Sequence, residues 1–252
     1  MICITNTTKN IERRIEAALL RREVITEKEL DKIEIRECGE PLVQIDIRKG
    51  KVLIQMSAVR KNFEIEEGRF DNILYVRKTI ARMLNIVENS LPLGYQLVIF
   101  DAFRPVEYQA KRFKERFDKF KQEYPLKSEQ EIRELTYVYI FPPNMDLKKP
   151  SPHSTGGALD LTLAYQGKLV DMGTDYGNYD KNRDLIQTNS ELITGVQKEN
   201  RRFFIKAMLN AGFANYPGEW WHFMYGDREW VAYEKLDTTA RYGRASFDMV
   251  IE

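Results

Sequence analysis

The sequence predicts an α+β fold in which a central antiparallel sheet is flanked by helices. Helical spacing of apolar residues, as in residues 10–22 and 72–87, is mixed along the chain with segments typical of strands. Such strand segments include residues 94–100, which end in a continuous apolar run, and residues 158–163, which alternate. Strand segments that lie close together in sequence indicate hairpins, and hairpins favour an antiparallel sheet.

The chain opens with a charged segment, residues 1–42, that carries helical patterns. A capping box formed by Thr26 and Glu29 marks the start of a second short helix in this segment. We expect these residues to form an N-terminal helical extension that packs on the main domain, residues 43–252. The alternatives for this amphipathic element are packing on a partner protein and a solvated amphipathic cap.

The main domain is predicted to begin with a hairpin. Residues 43–47 and 52–54 have strand character and flank a polar turn. Helices are expected over residues 72–87 and again from Pro105, because proline fits the first turn of a helix. Aromatic residues on the second of these helices predict a face that packs in the core.

The second half of the main domain ends in a helix and a strand. The helix is expected over residues 199–211 and closes at Gly212, and the strand spans residues 220–224. Before this helix, residues 177–190 are polar and show no clear periodicity of apolar residues, which predicts a long loop.

Composition limits the classes of function. With 43% hydrophobic and 31% charged residues, the 252-residue chain is typical of globular proteins. A formal net charge of +1 predicts no bulk attraction to nucleic acid or membranes. No apolar run approaches the ~18 residues of a membrane span. The first ten residues lack the order of a secretory signal. Cys3 and Cys38 form no disulfide framework, which predicts a reducing, cytoplasmic location.

Two potential metal ligands, His153 and Asp160, lie in the stretch S-P-H-S-T-G-G-A-L-D-L-T-L at residues 151–163. From Ala158 the pattern alternates, which predicts a half-buried strand with leucines on one face and Asp160 on the other. In one straight strand His153 and Asp160 would point apart, so they converge only if the chain turns between them. The two glycines that separate them permit such a turn.

A second cluster, P-G-E-W-W-H, contains His222, and the chain has only two histidines. Two histidines and one carboxylate form an established tetrahedral zinc set with one position open for water. The alternative is that both histidines are satisfied core or surface residues. Glu219 can share a site with His222 only if it lies on a turn, because residues three apart in a strand face opposite ways.

Four motifs occur together in one order. S-x-H-x-x-G-x-A-x-D matches residues 151–160, and E-x-W-H matches residues 219–222. F-D-A-F-R-P precedes them at residues 100–105, and D-M-G-T lies between them at residues 171–174. In this combination the chain resembles the zinc D-alanyl-D-alanine dipeptidases, the VanX-type branch of a larger family of D,D-peptidases. The resemblance implies a central antiparallel sheet with zinc at its edge.

The resemblance also implies roles for particular residues. Three residues are implied to hold one Zn²⁺ per chain, namely His153, Asp160 and His222. Glu219 is implied to be the general base, and Arg104 to face the negative charge that develops on the carbonyl oxygen. The alternatives are a surface carboxylate for Glu219 and a structural ion pair with Asp101 for Arg104.

Two further residues are implied to bind the substrate. Ser151 is similar to the family's substrate-contacting serine, and Asp171 matches the aspartate that holds the substrate's free ammonium group. An aspartate just before Gly173 is also typical of a turn, which is the alternative for Asp171.

The implied function is zinc-dependent hydrolysis of the dipeptide D-alanyl-D-alanine in cell-wall precursor metabolism. The expected partner is this small substrate, with neither nucleic acid nor a membrane involved. One alternative is a D,D- or L,D-carboxypeptidase that acts on longer peptidoglycan peptides. Another is a non-catalytic zinc-binding interaction module, against which Glu219 and Arg104 argue, because a purely structural metal site needs neither.

Overall fold

Six strands of the described residues form a mixed sheet at the centre of the protein. The computed structural model describes residues 8–47, 50–56, 73–137, 139–140, 146–147, 149–179 and 183–251. Within these ranges the strands are β1 (Leu42–Gln44), β2 (Val52–Ile54), β3 (Tyr75–Arg77), β4 (Tyr95–Asp101), β5 (Ala158–Tyr165), β6 (Lys168–Leu169), β7 (Ala214–Asn215) and β8 (His222–Met224).

Helices cover the sheet. In the same ranges they are α1 (Thr8–Leu20), α2 (Glu27–Leu30), α3 (Lys78–Ser90), α4 (Val106–Glu123), α5 (Glu129–Tyr137), α6 (Arg183–Ile186), α7 (Gly195–Asn210) and α8 (Arg228–Tyr233). The short helix α6 lies within the predicted loop at residues 177–190. None of the described helices is long and apolar enough to cross a lipid bilayer.

The strand order of the large sheet is β2-β4-β5-β8-β7, and the short β6 pairs with β5. The α+β class is confirmed, but the expectation of a wholly antiparallel sheet is wrong. Strand β2 runs parallel to β4, whereas the other pairs of this sheet are antiparallel. A parallel pair needs a crossover connection. The chain provides one, because β3 and α3 lie between β2 and β4.

The predicted hairpin at the start of the main domain is also wrong. Strand β1 pairs with β3 in a separate two-stranded sheet, while β2 joins the large sheet. Val52 of β2 is thereby placed opposite Leu97, and both side chains are buried. A two-stranded hairpin is marginal in water, so the short β2 is more stable beside the buried strand β4.

The main core lies between one face of the large sheet and the helices α3 and α7. Leu159, Leu161 and Leu163 of β5 point into this core, as their alternation predicts. The other face of β5 is covered as well, so the strand is buried from Ala158 to Ala164 and not half-buried. Its polar face lies against the side chains of the candidate site described below.

The N-terminal segment packs on the same core. Ile15 and Ala18 of α1 are buried within it, and Arg14 forms an ion pair with Glu234 at 2.7 Å. The capping box of Thr26 and Glu29 is present at the start of α2. The division of the chain at residue 42 stays a prediction. Cys38 is exposed, and Cys3 lies outside the described residues.

Arg77, at the end of β3, joins the segments that surround the turn after His153. Its side chain is fully buried, and its Nε donates to the Thr155 carbonyl at 2.7 Å. Its backbone N–H donates to the Gly156 carbonyl at 2.9 Å. The guanidinium also bonds to Glu37 at 3.0 Å and to the Gly243 carbonyl at 3.2 Å. One buried cation thus ties the N-terminal segment and the C-terminal segment to this turn.

Replacing Arg77 with methionine should lower the free energy of unfolding by about 3–5 kcal/mol, because buried acceptors lose their donor. Chemical denaturation of the wild type and the variant measures the difference. Lys114→Met is the matched control, since the Lys114–Asp118 pair is largely exposed and should contribute less than ~1 kcal/mol. Equal effects of the two substitutions would show that the buried hydrogen bonds of Arg77 do not stabilise the fold.

Candidate metal centre

Three neighbouring strands place their polar residues in one row. Strand β5 lies between β4 and β8, and Asp160 is paired with His222 on one side and Asp101 on the other. The register of β4 shifts between Ile99 and Asp101, so that β4 has one more residue than β5 at this point. Such a bulge bends the strand and redirects its side chains. Without it, Phe100 rather than Asp101 would stand opposite Asp160.

His153 reaches the same place through the predicted turn. Residues Pro152–Thr155 form a 3₁₀ helix that ends at Gly156, whose φ is +72°. A Cβ on Gly156 would meet the Leu42 side chain at 2.6 Å, so both the backbone angle and the space require glycine. The turn lets His153 approach Asp160 from the N-terminal end of β5.

The donor atoms of His153, Asp160 and His222 converge. His153 Nε2 lies 3.2 Å from His222 Nδ1 and 3.2 Å from Asp160 Oδ1, and His222 Nδ1 lies 2.9 Å from the same oxygen. Tetrahedral zinc with bonds of about 2.0–2.1 Å holds neighbouring donors about 3.3–3.4 Å apart. The three buried donors are therefore already close to the spacing that zinc requires.

Hydrogen bonding and charge prepare these groups for a cation. His153 Nδ1 donates to the Ala102 carbonyl at 2.8 Å, which leaves Nε2 free as a ligand. Burial and the Arg104 charge lower the pKa of His153, which favours the neutral form of its imidazole. Burial would also lower the pKa of His222, but the hydrogen bond to Asp160 raises it to about 9. Asp160 thus favours positive charge beside it.

Glu219 lies on a tight turn before β8, as its spacing from His222 requires. The Glu219 N–H donates to the Tyr216 carbonyl, and the His222 N–H donates to the Glu219 carbonyl. The carboxylate accepts hydrogen bonds from Tyr179 and from Trp221, each at 3.0 Å. Burial raises the pKa of Glu219, and the charge of Asp160 adds to the rise. Its carboxyl group is therefore fixed in position, and its role as a general base stays a prediction.

Arg104 forms the structural ion pair with Asp101 that was its alternative, and its role toward the carbonyl oxygen of a substrate stays a prediction. Its Nε and Nη2 donate to one carboxylate oxygen of Asp101 at 3.2 and 2.9 Å, and its Nη1 donates to Gln109 at 2.9 Å. Its Nη2 also lies 3.6 Å from Asp160. Asp101 and Asp160 are cross-strand neighbours of like charge, and the Arg104 guanidinium between them offsets their repulsion.

These groups share one small cavity, which we call the cluster cavity. Its volume is about 120 Å³. It is lined by the three candidate ligands and by Arg104, Gln109, Arg112, Tyr139, Ile140, Ser151, Pro152, Tyr179, Tyr216, Glu219 and Glu229. Ser151 is buried at the wall, where its hydroxyl donates to Ser154 Oγ at 3.1 Å. Six of the seven residues proposed from sequence therefore meet here.

Asp171 is the seventh, and it lies elsewhere. It is exposed, and its carboxylate accepts from the Gly173 N–H at 2.8 Å and from Gln197 at 2.9 Å. It lines a neighbouring cavity of about 700 Å³. Tyr176 lines that larger cavity too, and its hydroxyl donates to Asp160 at 3.0 Å. The turn expected at Asp171 is present, whereas its role toward the substrate stays a prediction.

Sequence analysis did not identify several residues of the cluster cavity. Arg112 lies four residues after Tyr108 on the inner side of α4, and a charge at that position in an aromatic stripe is a signal that periodicity could have revealed. Tyr176 and Tyr179 fall in or beside the polar segment without a period. Glu229 comes from the first turn of α8, beyond the motifs, and no local pattern marks it.

Two buried imidazoles and a buried carboxylate, with a glutamate and an arginine beside them, define the site of a metal-dependent hydrolase. The profile of the peptidase family M15, described as D-ala-D-ala dipeptidase, matches residues 56–240. The chain belongs to this family, and it is a metallopeptidase.

Relatives with known names agree with this assignment. The chain is 29% identical over 228 residues to a D-alanyl-D-alanine dipeptidase of Synechocystis, covering 79% of this chain and 87% of the relative. It is 30% identical over 164 residues to a D-alanyl-D-alanine dipeptidase of Enterococcus faecalis, covering 62% of this chain and 76% of the relative.

Solved structures resemble the chain more remotely. A vancomycin-resistance D,D-pentapeptidase, VanY, in complex with Zn(II) aligns with a TM-score of 0.40 at 14% identity, covering 68% of this chain and 84% of that one. An LD-carboxypeptidase, LdcB, aligns with a TM-score of 0.35 at 18% identity, covering 66% of this chain and 67% of that one. Likeness at this level adds nothing to the functional assignment.

We expect one zinc per chain in protein purified without added metal, measured by elemental analysis. His153→Ala and His222→Ala should each reduce the zinc content to near zero, because the two remaining ligands form an incomplete site. Zinc should raise the thermal midpoint of the wild type and leave that of a folded variant unchanged. Zinc content near zero in the wild type, with no uptake on addition, would contradict the assignment.

Proposed function

We propose that this protein hydrolyses the dipeptide D-alanyl-D-alanine, with one zinc held by His153, Asp160 and His222. The observation that supports this most is the meeting of these three buried donors with Glu219 and Arg104 in one cavity. The zinc position follows from the donors. It lies beside the cross-strand pair of Asp160 in β5 and His222 in β8, and a zinc position at the edge of the sheet stays part of the proposal.

The size of the cluster cavity supports a small substrate. At about 120 Å³ it is well below the ~300–1,000 Å³ of common ligand pockets. It offers charged groups of both signs, which suits a compact zwitterion. A free dipeptide of two small residues has this chemistry, whereas a longer peptide would have to extend beyond the cavity.

Glu219 is the general base in this proposal. Zinc, when bound, polarises the scissile carbonyl and lowers the pKa of a coordinated water. Glu219 accepts a proton from the attacking water as the water oxygen bonds to the carbonyl carbon. It then delivers that proton to the leaving amine as the C–N bond breaks. Tyr179 and Trp221 hold its two carboxylate oxygens throughout.

Arg104 stabilises the negative charge on the carbonyl oxygen. Asp101 and Gln109 fix its guanidinium, so little reorganisation is needed when that charge develops. Ser151 lies on the same wall of the cavity and is proposed to contact the substrate.

A carboxypeptidase for longer peptidoglycan peptides is the second candidate. The observation in its favour is the larger cavity of about 700 Å³, which Asp171 and Tyr176 line. Tyr176 lies at the boundary between the two cavities, since its hydroxyl bonds to Asp160 in the cluster cavity. A peptide extended past the cluster would occupy this space.

The proposal assigns catalysis to residues 43–252 and treats residues 1–42 as a packed extension. Burial of Ile15 and Ala18 in the main core supports the packed arrangement. A cytoplasmic location stays a prediction that rests on the cysteine content.

Glu219→Gln should keep zinc and fold but lose most turnover, because the amide cannot accept the proton. Arg104→Ala should lower kcat by ~10²–10³-fold, as for loss of one oxyanion donor. Steady-state kinetics on zinc-loaded protein, with elemental analysis of each variant, measures both effects. Loss of zinc from Glu219→Gln would mean that Glu219 is a ligand and that the wrong carboxylate has been assigned to the metal.

Wild type should cleave D-Ala-D-Ala with a far higher kcat/KM than its N-acetyl derivative. Acetylation removes the ammonium charge and leaves the carboxylate that binds it unpaired, which lowers kcat/KM about ten- to a hundredfold. The same comparison tests the sequence-based role of Asp171: if Asp171 binds the ammonium group, Asp171→Asn should lose much of the preference. Equal cleavage of the two substrates by wild type would instead favour the carboxypeptidase.

A further inference from the structure

The two carboxylate oxygens of Asp160 face different partners. Oδ1 lies 2.9 Å from His222 Nδ1 and 3.2 Å from His153 Nε2, so it points to the place where the three candidate ligands converge. Oδ2 accepts a hydrogen bond from the Tyr176 hydroxyl at 3.0 Å. Arg104 Nη2 lies 3.6 Å from the same oxygen, which is beyond hydrogen-bonding distance. Tyr176 therefore holds Oδ2 while Oδ1 faces the candidate metal position.

Aromatic contacts fix the ring that carries this hydroxyl. The Tyr176 ring stacks on the Phe100 ring with a centroid distance of 4.3 Å and an interplanar angle of 8°. The Trp221 ring meets the Tyr176 ring edge-on at a centroid distance of 5.4 Å. Stacked and edge-to-face pairs are both favourable arrangements of aromatic rings, so the hydroxyl has a defined position beside Asp160.

The surface on which Tyr176 stacks comes from the bulge in β4. The register shift just before Asp101 leaves Phe100 as the additional residue of that strand. The Phe100 side chain is buried and forms one face of the stack with Tyr176. The bulge that brings Asp101 opposite Asp160 thus also provides the ring against which Tyr176 packs.

The state of the second carboxylate oxygen matters for a metal that needs an open position. A carboxylate can bind a metal ion through one oxygen or through both. In a catalytic zinc site three protein donors leave the fourth position to water, and a second Asp160 oxygen on the metal would crowd that water. A hydrogen bond at Oδ2 competes with this second contact, because partners of this kind orient the carboxylates that bind metals.

We propose that Tyr176 is a positioning residue that keeps Asp160 bound to zinc through a single oxygen. The inference rests on the proposed function, whose metal it concerns. It assigns a role to a residue that lies in none of the four sequence motifs. Because Tyr176 lines the larger cavity, its hydroxyl reaches the candidate ligands from the side of that cavity.

The affinity test measures the zinc dissociation constants of wild type and Tyr176→Phe by competition with a chelator of known affinity. The substitution keeps the stacked ring and removes the hydroxyl. The dissociation constant should rise about 10–100-fold, as is typical when a metal ligand loses its hydrogen-bond partner. Tyr179→Phe is the matched control, because the Tyr179 hydroxyl donates to Glu219 and not to a candidate ligand. Its zinc affinity should equal that of wild type. Unchanged affinity in Tyr176→Phe, or an equal loss in Tyr179→Phe, would overturn the proposal.

A structural test gives a readout that a general loss of stability would not produce. Crystals of zinc-loaded wild type and Tyr176→Phe provide the distance from the metal to each Asp160 oxygen. In wild type one oxygen should lie about 2.0–2.2 Å from zinc, and the other should stay bonded to Tyr176. In the variant the second oxygen should move toward the metal. A second oxygen that keeps its place would overturn the single-oxygen role, even if the affinity fell.

Failure of the inference and failure of the proposed function have different signatures. If zinc-loaded wild type does not cleave D-Ala-D-Ala, the proposed hydrolysis fails, and the zinc affinities and crystal distances still decide the role of Tyr176. If wild type cleaves the dipeptide and Tyr176→Phe matches its zinc affinity and ligand distances, the inference is overturned and the proposed function stands. Zinc bound at another place in the wild type would overturn both.

Discussion

The register of β5 with its two neighbours is the constraint on which the site depends. A slip of one residue in a strand moves every side chain to the opposite face of the sheet. Here a slip would carry Asp160 into the apolar core and bring leucines to the cluster. The bulge in β4 adds a second requirement, since it brings Asp101 opposite Asp160. Apolar pairing along β5 therefore determines where the polar row forms.

That polar row is stable only as a set. Burying a charge without a partner is costly, and Asp101, Asp160 and Arg104 are all buried within a few ångströms of one another. Each group supplies the partner that another needs. The same burial that demands pairing also raises the pKa of Glu219, so one physical cause serves both the stability of the site and its chemistry. Arg77 acts behind this row by holding the turn that presents His153.

The residues closest to the candidate metal were the most predictable. His153, Asp160, His222 and Glu219 occur in short motifs whose spacing carries local geometry: a glycine turn in one, and a turn before a strand in the other. The α+β class followed from periodicity in the same way. Pairing between distant segments was not predictable. Parallel β2 and β4 and the separate β1–β3 sheet depend on which partner offers the larger buried surface, which local patterns do not encode.

Residues that enter the cavity from outside the motifs show the same limit. Asp171 belongs to a motif, yet the turn that its carboxylate forms directs it into the neighbouring cavity. Glu229 belongs to no motif and reaches the cluster because a helix cap and a short turn return the chain after β8. Sequence spacing describes chemistry within a segment, whereas the packing of several segments decides which side chains share a cavity.

A crystal of the zinc-loaded protein, measured at the zinc absorption edge, tests the central claim most directly. The account predicts a single anomalous peak beside the paired residues Asp160 of β5 and His222 of β8, about 2.0–2.2 Å from donor atoms of His153, Asp160 and His222. Glu219 should lie nearby without coordinating. A peak at another place, or Glu219 as a ligand in place of Asp160, would contradict the account.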